Sequence, residues 1–112
     1  MVSVNEPDDE CLVKVFFDHA DTPVWYGGAL NWDDMNVSPE LKAELERFNE
    51  HPEQVAVGAR AAERLAAEIG VPFVVAFPGR NRGLRRFASD LPGTHPPAAR
   101  ALQGMHREDQ AW

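Results

Sequence analysis

Residues 38–77 constrain the fold of this chain more than any other stretch. Ser38-Pro39-Glu40 is a helix start: the serine can cap exposed amides, proline suits the first helical position, and glutamate favours the positive helix end. Leu41, Leu45 and Phe48 then recur at i, i+4 and i+7 and build one apolar face, with Lys42, Glu44, Glu46 and Arg47 on the other. Pro52 separates this helix from a second one over about residues 52–69. There Val55, Ala59, Ala62, Ala66 and Ile69 fall near helical spacing beside Leu65, and so many alanines permit close packing. Gly70 suits the position just past the helix end, where a left-handed backbone is often needed. Residues 71–77 then read as a fully buried strand, with Pro72 near its start and Pro78-Gly79 ending it. A buried strand next to two amphipathic helices requires a sheet to receive it, which makes the fold class α+β.

The flanking segments supply the rest. Residues 11–17 are rich in β-branched and aromatic side chains and read as a strand, followed by a short strand at Val24-Trp25-Tyr26, the two forming a hairpin. Residues 31–37 look irregular and acidic. Residues 83–89 are expected as a short helix with Leu84 and Phe87 inward and Arg82, Arg85 and Arg86 outward. A last short helix is expected from Pro97, with Ala98, Leu102 and Met105 on one side and Gly104 weakening it. With 112 residues the chain supports one core without metals or disulfides. The expected organisation is a polar lead-in over 1–10, a single small α+β domain over 11–90 with two or three strands packed against two main helices, and a loose helical C-terminal extension over 91–112.

Charge divides along the chain. Residues 1–57 carry thirteen carboxylates against three cations, a balance of −10, and residues 58–112 carry eight arginines against five acids, a balance of +3. This asymmetry bears on partners and solubility and is silent on fold. No apolar run approaches the roughly 18 residues of a membrane span. The start of the chain has no basic residue and no apolar core of a secretory signal, so a cytoplasmic location is expected. Cys11 is the single cysteine; at the start of an apolar run it reads as a buried, inert thiol.

Two segments are candidates for function. Asp18, Asp21, Asp33 and Asp34 flank the aromatic residues Trp25, Tyr26 and Trp32, and carboxylates around an aromatic anchor suit a basic protein surface. Trp25, within a strand, is expected in the core; Trp32 can serve as core or as anchor. The other segment holds Arg80, Arg82, Arg85 and Arg86 beside Gly79 and Gly83, an arrangement that can bind an anion or can pair with the acidic half of the chain. It matches neither the P-loop nor the dinucleotide pattern. A net charge of −7 disfavours nucleic-acid binding. His19, His51, His95 and His106 are scattered without metal-site companions, so no metal or other cofactor is expected, and no nucleophile lies in a catalytic pattern. Trp112 ends a polar tail as an aromatic that can dock on the domain or on a partner.

Val15-Phe16-Phe17-Asp18, Val24-Trp25 with Gly28, Met35-Asn36-Val37-Ser38-Pro39-Glu40-Leu41, and Ala61-Ala62-Glu63-Arg64-Leu65-Ala66 before a strand resemble a group of small, uncharacterised bacterial proteins. Those proteins show an early Trp, an L-x-L-S-x-x-L helix start and a helix–strand end; here Met35 replaces the usual first Leu. The resemblance covers about residues 12–77 and implies a fold without catalytic residues. The function expected from these readings is a non-enzymatic binding or regulatory protein, of the inhibitor, immunity or assembly-factor kind, that contacts a basic protein. The alternatives are a small phosphate- or nucleotide-handling enzyme using residues 79–86 with His19 or His95 as proton carrier, and a homo-oligomer joined through its opposite charges.

Overall fold

The computed structural model describes residues 12–26, 28–79 and 83–110. Cys11, the lead-in, Arg80, Arg82 and Trp112 lie outside the described residues. Four strands and four helices occur among those described: β1 (Leu12–Val15), β2 (Val24–Trp25), α1 (Trp32–Met35), α2 (Pro39–Glu50), α3 (Val55–Ile69), β3 (Val74–Gly79), β4 (Gly83–Ala88) and α4 (Pro96–Gln110). The sheet order is β2-β1-β3-β4, with β1 parallel to β3 and the two outer pairs antiparallel. The domain is α+β, as expected, with a four-stranded mixed sheet.

All the helices cover one face of that sheet. α3 lies on β3 and β4, and α2 and α4 flank it. Val13 and Val15 of β1 and Val75 and Phe77 of β3 point into this layer and meet Leu41, Leu45, Phe48, Leu65, Ile69 and Leu102 in one core. Each large apolar side chain removed from water there contributes roughly 1.5–3 kcal/mol. The small face of α3 sets the spacing. A Cβ on Gly58 would stand 2.6 Å from the Phe77 ring and 2.7 Å from that of Phe48, and these two rings meet edge-on at 5.6 Å.

The start of α2 and the end of α3 follow the sequence logic. The Ser38 hydroxyl accepts from the Leu41 N–H at 3.2 Å, capping α2 with Pro39 in its first turn. A further tie is not visible in the local sequence. Glu68 of α3 is buried, and its two carboxylate oxygens accept from the Ser38 backbone N–H (3.0 Å) and the Ser38 hydroxyl. The start of α2 is thereby bound to the end of α3. Gly70 ends α3 at φ 67°, ψ −167°, a conformation open essentially only to glycine. A Cβ there would also collide with the Gly93 backbone nitrogen at 2.1 Å, so both constraints demand glycine.

Several boundaries differ from expectation. Residues 83–89 do not form a helix: Gly83–Ala88 is strand β4, paired antiparallel with β3 from Val74↔Ala88 to Gly79↔Gly83. The ladder completes the outer hydrogen-bonding edge of β3, which a helix would have left open. Pro78-Gly79 therefore extends β3 and does not end it. Residues 32–35, expected to be irregular, make one helical turn that closes at Asn36 in the left-handed region (φ 54°). α3 begins at Val55, leaving Pro52 in the preceding turn. The C-terminal helix, expected to be short and loose, runs from Pro96 to Gln110 and seats Ala98 and Leu102 in the core; Gly104 faces open space.

Gly58→Ala is expected to destabilise the domain by ~1–3 kcal/mol through overpacking, although alanine is the better helix former by about 1 kcal/mol. Urea denaturation measures the balance; an unchanged or raised midpoint would show that Phe48 and Phe77 move aside freely.

Candidate functional site

The acidic residues are brought together by two anchored loops. After β1 the chain turns through residues 16–23, closed by the Phe16 N–H donating to the Pro23 carbonyl at 2.8 Å. Thr22 is fully buried at the base of this loop. Its hydroxyl accepts from the Val24 N–H (3.2 Å) and donates to the Leu30 carbonyl (2.8 Å), which fixes the loop before β2 to the chain returning after it. From α2, the Asn49 side-chain amide donates to the carbonyls of Ala20 (3.1 Å) and Asp21 (3.3 Å). Asp21 is thus held against the helix layer by backbone contacts, with its carboxylate exposed.

The single turn α1 supplies the opposite wall. The Asn31 side-chain amide donates to Asp34 at 3.3 Å, and Met35 plugs the turn into the core. Trp32 is half-buried: part of its indole packs against the core, and the Lys42 ammonium of α2 stands 5.6 Å from the ring centroid. Such a cation–π contact is worth about 0.5–1 kcal/mol at an exposed site. Asp21, Asn31, Trp32, Asp33, Asp34 and Lys42 line one open recess of about 540 Å³. The structure therefore gathers Asp21, Trp32, Asp33 and Asp34, which sequence reading selected, and adds Lys42, which that reading placed only on a polar helix face. Asp18 is exposed on the same loop but does not line the recess.

The arginine segment is arranged differently. Arg85 and Arg86 are neighbours on β4 and so point to opposite faces of the sheet. Arg85 stands over the Phe87 ring at 5.3 Å, while Arg86 shares a face with its pairing partner Ala76. Among the described residues the ion pairs join Glu44 to Arg64 and His51 to Glu53, and neither Arg85 nor Arg86 takes part. The histidines proposed as proton carriers are far apart. His19 follows the C-terminal end of β1, whereas the His95 N–H donates to the Glu68 carbonyl beside the end of α3, which leads into the N-terminal end of β3. Because β1 and β3 are parallel, these are opposite ends of the sheet. No group of three or more His, Cys, Asp or Glu residues able to hold a metal occurs among the described residues.

Trp25 occupies a place that sequence reading assigned to the core. It lies on the sheet face away from the helices, half-buried and stacked on Phe16 at 5.0 Å, with its indole N–H donating to the Phe16 carbonyl at 3.2 Å. The strand alternation carries the correction: Val24, its neighbour, is the residue that enters the core.

No protein-family model, curated protein or solved structure matches this chain. The resemblance noted for residues 12–77 rests on its own motifs. Among the described residues no helix is long and apolar enough to cross a membrane.

Thr22→Val keeps the shape of the side chain and removes its hydrogen bonds. It is expected to lower stability by ~1–3 kcal/mol and to speed amide exchange at Val24. Exchange at Val24 no faster than in the parent protein would show that the hydroxyl does not hold the loop.

Proposed function

We propose that this chain is a non-enzymatic binding protein whose acidic recess receives a cationic side chain from a basic protein partner, as an inhibitor, an immunity-type protein or an assembly factor does. The observation that carries the reading is the Lys42 contact: the recess lined by Asp21, Asp33 and Asp34 already holds one ammonium group against Trp32. A partner's lysine or arginine finds the same aromatic face and the same carboxylates. The recess is open and shallow, so it accepts a side chain presented by a surface. Its carboxylates steer the encounter, and Trp32, rooted in the core, supplies a rigid anchor. A sequence with one cysteine is compatible with action in the reducing cytoplasm, where we place it.

Lys42 has a definite part in this scheme. It competes with the incoming cation for Trp32, and so weakens non-specific attachment of basic chains while a partner with further contacts displaces it.

The test uses a labelled nine-residue peptide of alternating Arg and Gly in low salt. Asp33→Lys with Asp34→Lys is expected to slow its association by at least tenfold, the range over which electrostatic steering acts. Lys42→Met is expected to tighten binding several-fold. Unchanged association of the double variant would overturn the proposal. Affinity capture from the native host with the parent and the double variant in parallel then identifies the partner as the protein lost from the variant.

A further inference from the structure

The sheet face opposite the helices carries a different chemistry. Strand register places Trp25, Lys14, Ala76 and Arg86 side by side in one row across all four strands. Paired residues share a face, and this row alternates with the core-facing residues Val13, Val15, Val75 and Phe77. Lys14 and Arg86 are exposed and form no ion pair with any described residue. They stand two strand intervals apart, about 10 Å across the sheet. Ala76 between them is fully buried, and its methyl group is the one side chain that separates them in the row. Beside Lys14, the stacked Phe16 and Trp25 rings, with Leu12 and Gly28, line a recess of about 320 Å³. That volume is within the range of sites that accept a single large side chain or a small molecule.

We propose that this face binds an acidic peptide segment in extended conformation, with one large apolar residue in the Trp25 recess and two carboxylates on Lys14 and Arg86. The order of the row sets the order of the ligand: apolar anchor, then one acid, then a second acid. An extended chain advances about 3.3 Å per residue, so two acids separated by one or two residues span the two cations once their side chains flex. Charge selects this occupant. Two cations without an ion pair among the described residues, on a protein of net charge −7, suit a short anionic segment. They fall short of the concentrated basic field that a nucleic acid or an anionic membrane requires. The face is independent of the acidic recess, which adjoins α2 in the helix layer.

The probe is a labelled nine-residue peptide with one central Trp flanked by glutamates, measured by fluorescence anisotropy in low salt. The parent protein is expected to bind it, and Lys14→Glu with Arg86→Glu to weaken binding by at least tenfold; both residues are exposed, so the double variant is expected to keep the parent's melting temperature. Replacing the central Trp of the probe by Ser is expected to weaken binding several-fold. Asp33→Lys with Asp34→Lys, which tests the recess in the helix layer, is expected to leave this affinity no weaker. Absence of binding by the parent, or equal binding by the Lys14/Arg86 double variant, would sink the proposal. So would tighter binding of single-stranded RNA or of phosphatidylserine vesicles than of the peptide.

Discussion

The close approach of α3 to the sheet at Gly58 governs the placement of everything else. The glycine lets the rings of Phe48 and Phe77 pack over the helix surface, and through Phe48 it draws α2 onto the same layer. The position of α2 in turn fixes both of its functional contributions. Asn49 grips the loop that carries Asp21, and Lys42 reaches over Trp32. The recess is therefore shaped by packing: its loop wall is held by Asn49 of α2, and its helical turn α1 packs against α4. The Glu68–Ser38 contact acts in the same direction from the other end of α2. Removing one partner of such a buried charged hydrogen bond leaves the other group without compensation, which makes the link stiff and particular to this pairing.

The parts of the fold written in local sequence were legible. Ser38-Pro39-Glu40, the Leu41/Leu45/Phe48 spacing and Gly70 each act within one turn of chain, and each does in the structure what its chemistry implies. Leu84 and Phe87 have helical spacing, which suggests a helix over residues 83–89. The hairpin partner that makes them a strand is β3, and a ladder between strands is invisible to periodicity. Trp25 was misplaced for a related reason. A two-residue strand has too few positions to show which face is inward, and only its pairing with Lys14 decides it.

The site was legible in its charges and not in its supports. Four of the five selected residues meet at one recess because the loop before β2 and the helical turn after it lie side by side. Thr22, Asn49 and Lys42 escaped attention because each is an ordinary residue type whose role comes from a contact eight to twenty-nine residues away or on a facing element. No spacing rule marks such residues. The arginine run shows the converse: Arg85 and Arg86 are adjacent in sequence, and strand alternation sends them to different faces.

Charge in the folded molecule does not follow its division along the chain: Lys14 comes from the acidic first half, and Arg64 of the second half pairs with Glu44 in the helix layer. The carboxylates of the recess lie with α1 and α2 on the helix side, whereas Lys14 and Arg86 stand on the sheet face away from the core. Salt confines the field of exposed charges in solution to about a Debye length, so Lys14 and Arg86 act locally although the net charge of the chain is −7. The two proposed binding surfaces therefore rest on separate groups: the recess on carboxylates at Asp21, Asp33 and Asp34, and the sheet face on Lys14 and Arg86, so that the substitutions that test one leave the residues of the other in place.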